Sequence, residues 1–437
     1  MRIGPFPRLL LTGLVLATPA SGHAQQGTAP GTPAGTSIGL AIAERYKVDA
    51  IRERRFTHAR FWEAVAPSLA APGFRTEEIG RSIQGRPIRA VTFGKGPVPV
   101  LLWSQMHGDE ATATMALADI FRFLAEGRDD PLRTRLEREL TLVFVPMLNP
   151  DGAELFQREN AAGVDVNRDG RRRSTPEAQA LKAIRDRIVP RFGFNLHDQS
   201  ARTRAGRTGE QAAIALLAPA YDSGRSYNEV RSRARLVASV IAGLLAPELP
   251  RRVAKYDDTF NPRAFGDLMQ TWGASTVLIE SGALPDDPQK QRLRALNVVA
   301  ILGALDAIAS KSYESADPAV YDALPFNASG ASDLILAGGS LVLPGQPPLR
   351  ADVAINFADA VARTGGRVDE VGDLENAVAI DTLDVTGLFL HPRPAALERR
   401  GDATWFRVGA PAHIDIRRGP TPESELVRPL GEDAPDE

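Results

Sequence analysis

The chain has 437 residues, 43% hydrophobic and 24% charged, with 52 Lys+Arg against 54 Asp+Glu and a formal net charge of −2. These proportions exclude a mainly disordered or fibrous chain, and they supply no general positive charge to hold nucleic acid or an anionic membrane. Cysteine is absent and histidine occurs six times, which excludes disulfides, thiolate metal sites and cysteine nucleophiles.

In chain order, Arg2 and Arg8 precede the short apolar run Leu9–Ala17, and Gly22-His23-Ala24 then offers a small-x-Ala cleavage point. Residues 1–24 therefore read as a secretory signal peptide, which predicts an exported protein, periplasmic or extracellular. Residues 25–42, rich in Gly, Thr, Pro and Ala, read as a flexible leader. Strand-length apolar runs follow at Ile88–Phe93, Val98–Ser104, Leu140–Pro146, Phe192–His197, Ala213–Ala218 and Ser275–Glu280. Helical patterns fall between them at Thr112–Ala125, Pro176–Val189, Tyr227–Leu245 and Pro288–Ser310. Apolar strands alternating with helices predict an α/β fold over 43–311, a mixed, mostly parallel sheet flanked by helices. No later segment is expected to be long and apolar enough to span a membrane. Residues 312–332 read as a linker, 333–419 as a small β-rich accessory domain and 420–437 as a disordered tail.

The chemistry begins at His107-Gly108-Asp109-Glu110, directly after the run ending at Ser104. A His and a Glu three apart at a strand end can turn toward one ion, and their N and O donors suit Zn²⁺. His197 ends another apolar run and supplies a third donor, 197 − 110 = 87 residues on. Open α/β sheets gather such strand ends at one edge. Singly, each residue also fits a hydrogen-bonded structural role. Further on come Asn149-Pro150-Asp151-Gly152, Arg158-Glu159-Asn160, Gly163-Val164-Asp165-Val166-Asn167-Arg168 and the strand end Ile279-Glu280.

Taken together and in this order, these motifs resemble the zinc carboxypeptidase family, the carboxypeptidase A-like metallopeptidases, over about residues 43–310. The short loop after Arg168 and Asp169 in place of the digestive members' Asn resemble its compact bacterial branch. The resemblance implies one zinc ion held by His107, Glu110 and His197, with Asp165 orienting His107 and Glu280 as general base. It implies Arg158 facing the carbonyl oxygen and Asn167 with Arg168 gripping a substrate carboxylate. Tyr256 is the best candidate for the family's mobile tyrosine, and Asp267 could favour a basic side chain or brace a wall. The implied activity is a secreted metallocarboxypeptidase acting on a peptide or peptide-like substrate with a free carboxylate, with neither nucleic acid nor membrane insertion. The alternatives are an amidase, deacylase or cell-wall peptide hydrolase on the same centre, or a peptide-binding module without turnover.

Overall fold

The computed structural model describes residues 34–207 and 210–431, so the expected signal peptide lies outside the described residues. Among the described residues, nine strands lie between Phe74 and Ser281. They are β1 (Phe74–Arg81), β2 (Pro87–Phe93), β3 (Val98–Ser104), β4 (Leu140–Val145), β5 (Phe192–Asp198), β6 (Arg204–Ala205), β7 (Ile214–Leu217), β8 (Val253–Lys255) and β9 (Ser275–Ser281). All but β6 form one sheet in the order β1-β2-β4-β3-β5-β9-β7-β8. Its centre, β4-β3-β5-β9, is parallel. Antiparallel pairs flank that centre at β1–β2, β2–β4 and β7–β9. This is the mixed, mostly parallel sheet expected from the alternating pattern.

Among the described residues, the α-helices as far as Ser310 are α1 (Ala34–Arg45), α2 (His58–Leu69), α3 (Thr112–Glu126), α4 (Pro131–Glu139), α5 (Pro150–Leu155), α6 (Pro176–Ile188), α7 (Glu229–Leu245), α8 (Phe265–Thr271) and α9 (Gln291–Ser310). Side chains alternate across a strand, so Val100 and Leu102 of β3 join α1, α3, α7 and α9 on one face. Leu101 and Trp103 join α6 and α8 on the other. A sheet covered on both faces has no polar side to expose, which is why its central strands read as unbroken apolar runs.

Several boundaries differ from the sequence reading for local reasons. The expected leader is helical from Ala34, because Gly39 packs against Val299 and Ile42 and Ala43 are buried. Helix α7 starts at Glu229 because the Asn228 side chain caps Arg231 N. Helix α9 starts at Gln291, after Pro288, because the Asp287 carboxylate accepts from the backbone N–H groups of Gln291, Arg292 and Leu293. Helix α9 has the length and mean hydropathy of a membrane span, but it carries Arg292, Arg294 and Asp306 and 72% of its apolar window is buried against the rest of the chain, as in a core helix. Strand β1 escaped the reading because it is a polar edge strand with no fully buried residue and no regular alternation of burial.

The stretch expected as a linker is packed instead. Tyr313 and Tyr321 are buried in the main core, and the Tyr321 hydroxyl accepts from Ala218 N at 3.1 Å. A short strand β10 (Asn327–Ala328) pairs with β6. Beyond it, Ser332–Ala337 is an inner strand of a four-stranded sheet whose neighbours are Asp352–Asp359 and Ala379–Asp384. A five-stranded sheet lies beside it, and Leu336, Val353, Leu390 and Ile414 form a common core. The expected disordered tail contributes a strand, Leu426–Leu430, which pairs with Ile414–Arg417. An edge of open backbone groups there gains partners by capturing this exposed segment.

One buried ion pair ties the helical face together. Arg294 of α9 donates from Nε to Asp119 Oδ2 of α3 at 2.6 Å and from Nη2 to Val48 O at 3.1 Å. Val48 N in turn donates to Asp119 Oδ1 at 2.7 Å. Both side chains are at most 2% exposed. Asp119→Ala is therefore expected to leave an uncompensated buried guanidinium and destabilise the fold by about 3–5 kcal/mol; urea unfolding of parent and variant measures the difference.

Candidate metal centre

The parallel registers bring the strand ends to one level. Ser104 of β3 pairs with Leu196 of β5, and His197 pairs with Glu280 of β9. His107 and Glu110 lie in the turn just beyond β3, where Glu110 N donates to His107 O at 3.2 Å. That turn is braced from behind by the Asn149-Pro150-Asp151-Gly152 segment. Asn149 N donates to Gln105 O at 2.9 Å, and the Asn149 side chain donates to Met106 O and Arg158 O at 3.4 and 3.3 Å. Its Oδ1 also caps α5 by accepting from Gly152 N at 2.9 Å. The two turns meet backbone to backbone: a Cβ on Gly108 would lie 1.9 Å from Gly152 C, so only glycine fits there.

At the centre, ligand atoms of His107, Glu110 and His197 lie within 4.8 Å of one another, and all three residues are buried. The Glu110 carboxylate sits between the imidazoles, with Oε1 2.7 Å from His107 Nδ1 and Oε2 2.6 Å from His197 Nδ1. Asp165 Oδ1 lies 3.0 Å from His107 Nε2 and accepts from Asn167 N at 2.8 Å. A carboxylate on Nε2 turns the Nδ1 lone pair toward the cluster. Two imidazole nitrogens and one carboxylate, buried and converging, are the donor set of a catalytic zinc site with an open position. The site is consistent with one zinc ion.

Arg158 borders the same centre. Its Nη1 lies 3.1 Å from His107 Nδ1 and donates to Glu110 Oε1 at 3.2 Å, while Nη2 donates to Asp165 Oδ2 at 2.9 Å. The electrostatics follow from this crowding. Burial opposes the charged form of His107, yet the carboxylates of Glu110 and Asp165 outweigh it and raise the imidazole to about 9. Glu110 is held below its ordinary range, since the two imidazoles more than offset burial. Asp165 is likewise held low by His107 and Arg158 against the cost of burial. Glu280 is pushed well up, first by burial and then by the charges of Glu110 and Asp198.

A cavity of about 790 Å³ opens on these groups. Its lining includes His107, Glu110, His197, Arg158, Asn167, Arg168, Tyr256 and Glu280, so every predicted side chain except Asp165 reaches it directly. Asn167 Oδ1 accepts from Phe265 N at 2.9 Å, at the start of α8. Arg168 is exposed, with Nη1 donating to Asn167 O at 3.1 Å. Tyr256 is 37% exposed, and its phenol is pushed up to about 12, first by the Glu280 charge and then by burial. Asp267 also lines the cavity; burial raises it to about 6, and Oδ1 accepts from Asn261 N at 2.9 Å.

The sequence reading passed over five polar residues here. Asn195 lines the cavity from within β5, and its Oδ1 is buried without a partner among the described residues. An asparagine inside the apolar run Phe192–Leu196 was a visible signal. Lys290 donates to Asp198 Oδ2 at 2.8 Å, a buried pair directly after the His197 position. Gln199 accepts from Asn327 Nδ2 at 2.6 Å, which ties the site to β10. No local motif announces these long-range contacts.

Residues 68–200 match the family model described as zinc carboxypeptidase. That span holds His107, Glu110, Arg158, Asp165, Asn167, Arg168 and His197; Tyr256 and Glu280 lie beyond it. Carboxypeptidase D of Rattus norvegicus is 32% identical over 162 residues, which cover 26% of this chain and 12% of that protein. Carboxypeptidase SOL1 of Arabidopsis thaliana is 30% identical over 102 residues, covering 22% of this chain and 21% of that protein. The chain thus spans about a fifth or less of the length of these relatives. A metallo-carboxypeptidase structure from Burkholderia cenocepacia overlays with a TM-score of 0.46 and 19% identity, covering 58% of this chain and 70% of that one.

His107→Ala and His197→Ala are each expected to abolish one-to-one zinc binding, read by elemental analysis of purified protein, because a two-ligand site loses most of its affinity. The raised His107 adds a sign: below about 9 a proton competes with the metal for that ring. Zinc affinity of the parent protein should therefore weaken as pH falls from 8 to 6, by up to about tenfold per unit, in competition titrations with a chelating dye.

Proposed function

We propose that this chain, whose residues 68–200 match the zinc carboxypeptidase family, is an exported metallocarboxypeptidase that hydrolyses the C-terminal peptide bond of a peptide. The observation that carries this reading is the pairing of His197 with Glu280 across β5 and β9, at the floor of a cavity that Arg168 also lines. A carboxyl group beside the metal ligands and an exposed guanidinium in the same cleft are what an exopeptidase needs.

Zinc, when bound, supplies Lewis-acid polarisation of a carbonyl and acidifies water at the site. The chain's own residues do the rest. Glu280 takes a proton from the attacking water and returns it to the leaving amine. Its upward push from burial and from neighbouring carboxylates favours a group that must hold a proton and then release it. Arg158, already directed at the ligand cluster, donates to the oxygen on which negative charge develops. The carbonyl of the Asn167 side chain is spent on Phe265 N, so its amide nitrogen remains to donate beside Arg168. Together they hold a terminal carboxylate, which a guanidinium fork matches in two bonds. Tyr256 stays a neutral phenol across the working pH range and donates a hydrogen bond over the cleft.

Two substrates and three enzymes test this. A peptide acid and its amide differ only in the group that Arg168 would hold. The parent should prefer the acid by orders of magnitude, up to about 10⁴-fold in kcat/KM. Arg168→Ala should lose activity on the acid and narrow that gap. Glu280→Gln should keep zinc and fold while kcat drops about 10²-fold or more. Equal cleavage of acid and amide by the parent would overturn the exopeptidase reading in favour of an endopeptidase or remote-acyl hydrolase.

Export rests on residues 1–24 alone. Native protein is expected to begin near Gln25 on N-terminal sequencing, and a mature chain that retains Met1 would contradict it.

A further inference from the structure

A second hollow of about 450 Å³ shares Glu110, Arg158, Asp198 and Gln199 with the first, but Arg168 lines only the first. Part of its wall does not come from the α/β part of the chain. It comes from Ala358, Asp359, Ala360 and Val361, at the tip of the hairpin between strands Asp352–Asp359 and Thr364–Gly372. Arg54 and Arg55, from the segment before α2, complete the wall with Phe156.

This tip is fixed in place. Asp359 Oδ2 receives both Arg54 and Arg55, the latter at 3.4 Å, and Asp359 Oδ1 accepts from Ala362 N at 3.0 Å, which locks the turn. Both guanidinium groups lie over the Phe156 ring, 5.4 and 4.6 Å from its centroid, a stacking that adds attraction. A second anchor lies one strand away. Arg202, five residues past His197, donates from Nε and Nη2 to Asp333 Oδ2 at 3.0 and 2.8 Å and to Phe357 O at 2.6 Å. Asp333 is buried and also accepts from Phe357 N at 2.7 Å. The segment that follows the third ligand is thus bolted to the hairpin that faces it.

We propose that the hairpin tip 358–361, held on Arg54 and Arg55, is a specificity-determining wall for the part of the substrate on the amino side of the bond cut. The C-terminal β region is then part of the substrate cleft. This rests on the proposed reading, in which Arg168 takes the carboxyl end; the acyl portion then runs away from Arg168, into the hollow that Arg168 does not line and the hairpin does. The wall acts on substrate residues beyond the first, so it sets how the enzyme ranks peptides of different length and sequence that share one C-terminus.

The test fills the hollow. Ala360→Trp adds a large side chain at the tip, and Ala358→Trp, at an exposed position, does so from the adjoining residue. Asp402→Trp, in an exposed turn of the same β region, controls for the added bulk. Each full-length zinc protein is assayed on an N-acetyl dipeptide and an N-acetyl hexapeptide that end in the same two residues. The expected result is a fall of about tenfold or more in the hexapeptide-to-dipeptide ratio of kcat/KM for the tip variants, and a ratio within about twofold of parent for the control. The same ratio is read as affinities by calorimetry in a Glu280→Gln background. Thermal unfolding identifies any tip variant that fails to fold, and the other tip variant then decides. An unchanged ratio in a folded tip variant, by both turnover and affinity, overturns the proposal. A parent that hydrolyses neither peptide counts against the proposed activity instead, and the affinity ratio still decides the wall.

Discussion

The parallel register of β3, β5 and β9 is the constraint on which the site depends. It sets Ser104, Leu196 and Ile279 side by side. The chain then needs one further residue on β5 and β9 to reach His197 and Glu280, and a short turn on β3 to reach His107 and Glu110. A slip of one residue in any of these pairings would turn the side chain to the opposite face of the sheet. Because both faces are packed with apolar side chains, such a slip would also bury the ionisable groups in the core. The hydrophobic pattern that selects the fold therefore selects the position of the ligands as well.

Register alone leaves the turn after β3 free to move, and backbone packing removes that freedom. Gly108 lets the turn and the start of α5 approach closer than any side chain allows, and Gly152 does the same against the 157–159 loop behind it. Asn149 then uses both ends of its amide to hold that approach. Asp165 does two jobs with one oxygen, capping the turn at Asn167 and fixing the His107 ring. The centre is thus held by polar contacts made before any ion arrives, so little ordering cost remains for metal binding.

Most of this was legible because the chemistry is local. His107 and Glu110 are three residues apart, and Asp165, Asn167 and Arg168 share one short loop. The apolar strands β3, β5 and β9 were legible because burial on both faces leaves an unbroken run. What escaped was either polar or distant. Strand β1 presents charged residues on an edge. The final strand, Leu426–Leu430, is mostly exposed and is ordered by its partner Ile414–Arg417 rather than by its own composition. Tyr313 and Tyr321 sit in a stretch with loop composition and are buried in the main core, Tyr321 bonding Ala218 and Ser239, 103 and 82 residues away. The pairs Lys290–Asp198, Asn327–Gln199 and Arg202–Asp333 join residues about 90 to 130 apart, which no window of sequence contains.

The clamp of Arg54 on Asp359 carries a consequence for how the molecule is made. It closes a loop of 305 residues, among the largest separations the chain offers, and contacts of that kind form late because their loop entropy is lost before they return anything. During synthesis the ligand-bearing strands, complete by Ser281, can assemble while the last third of the chain is still emerging. The hairpin that faces them arrives afterwards. A nascent chain would therefore acquire its metal site first and its finished cleft last, with the clamp marking the completed molecule.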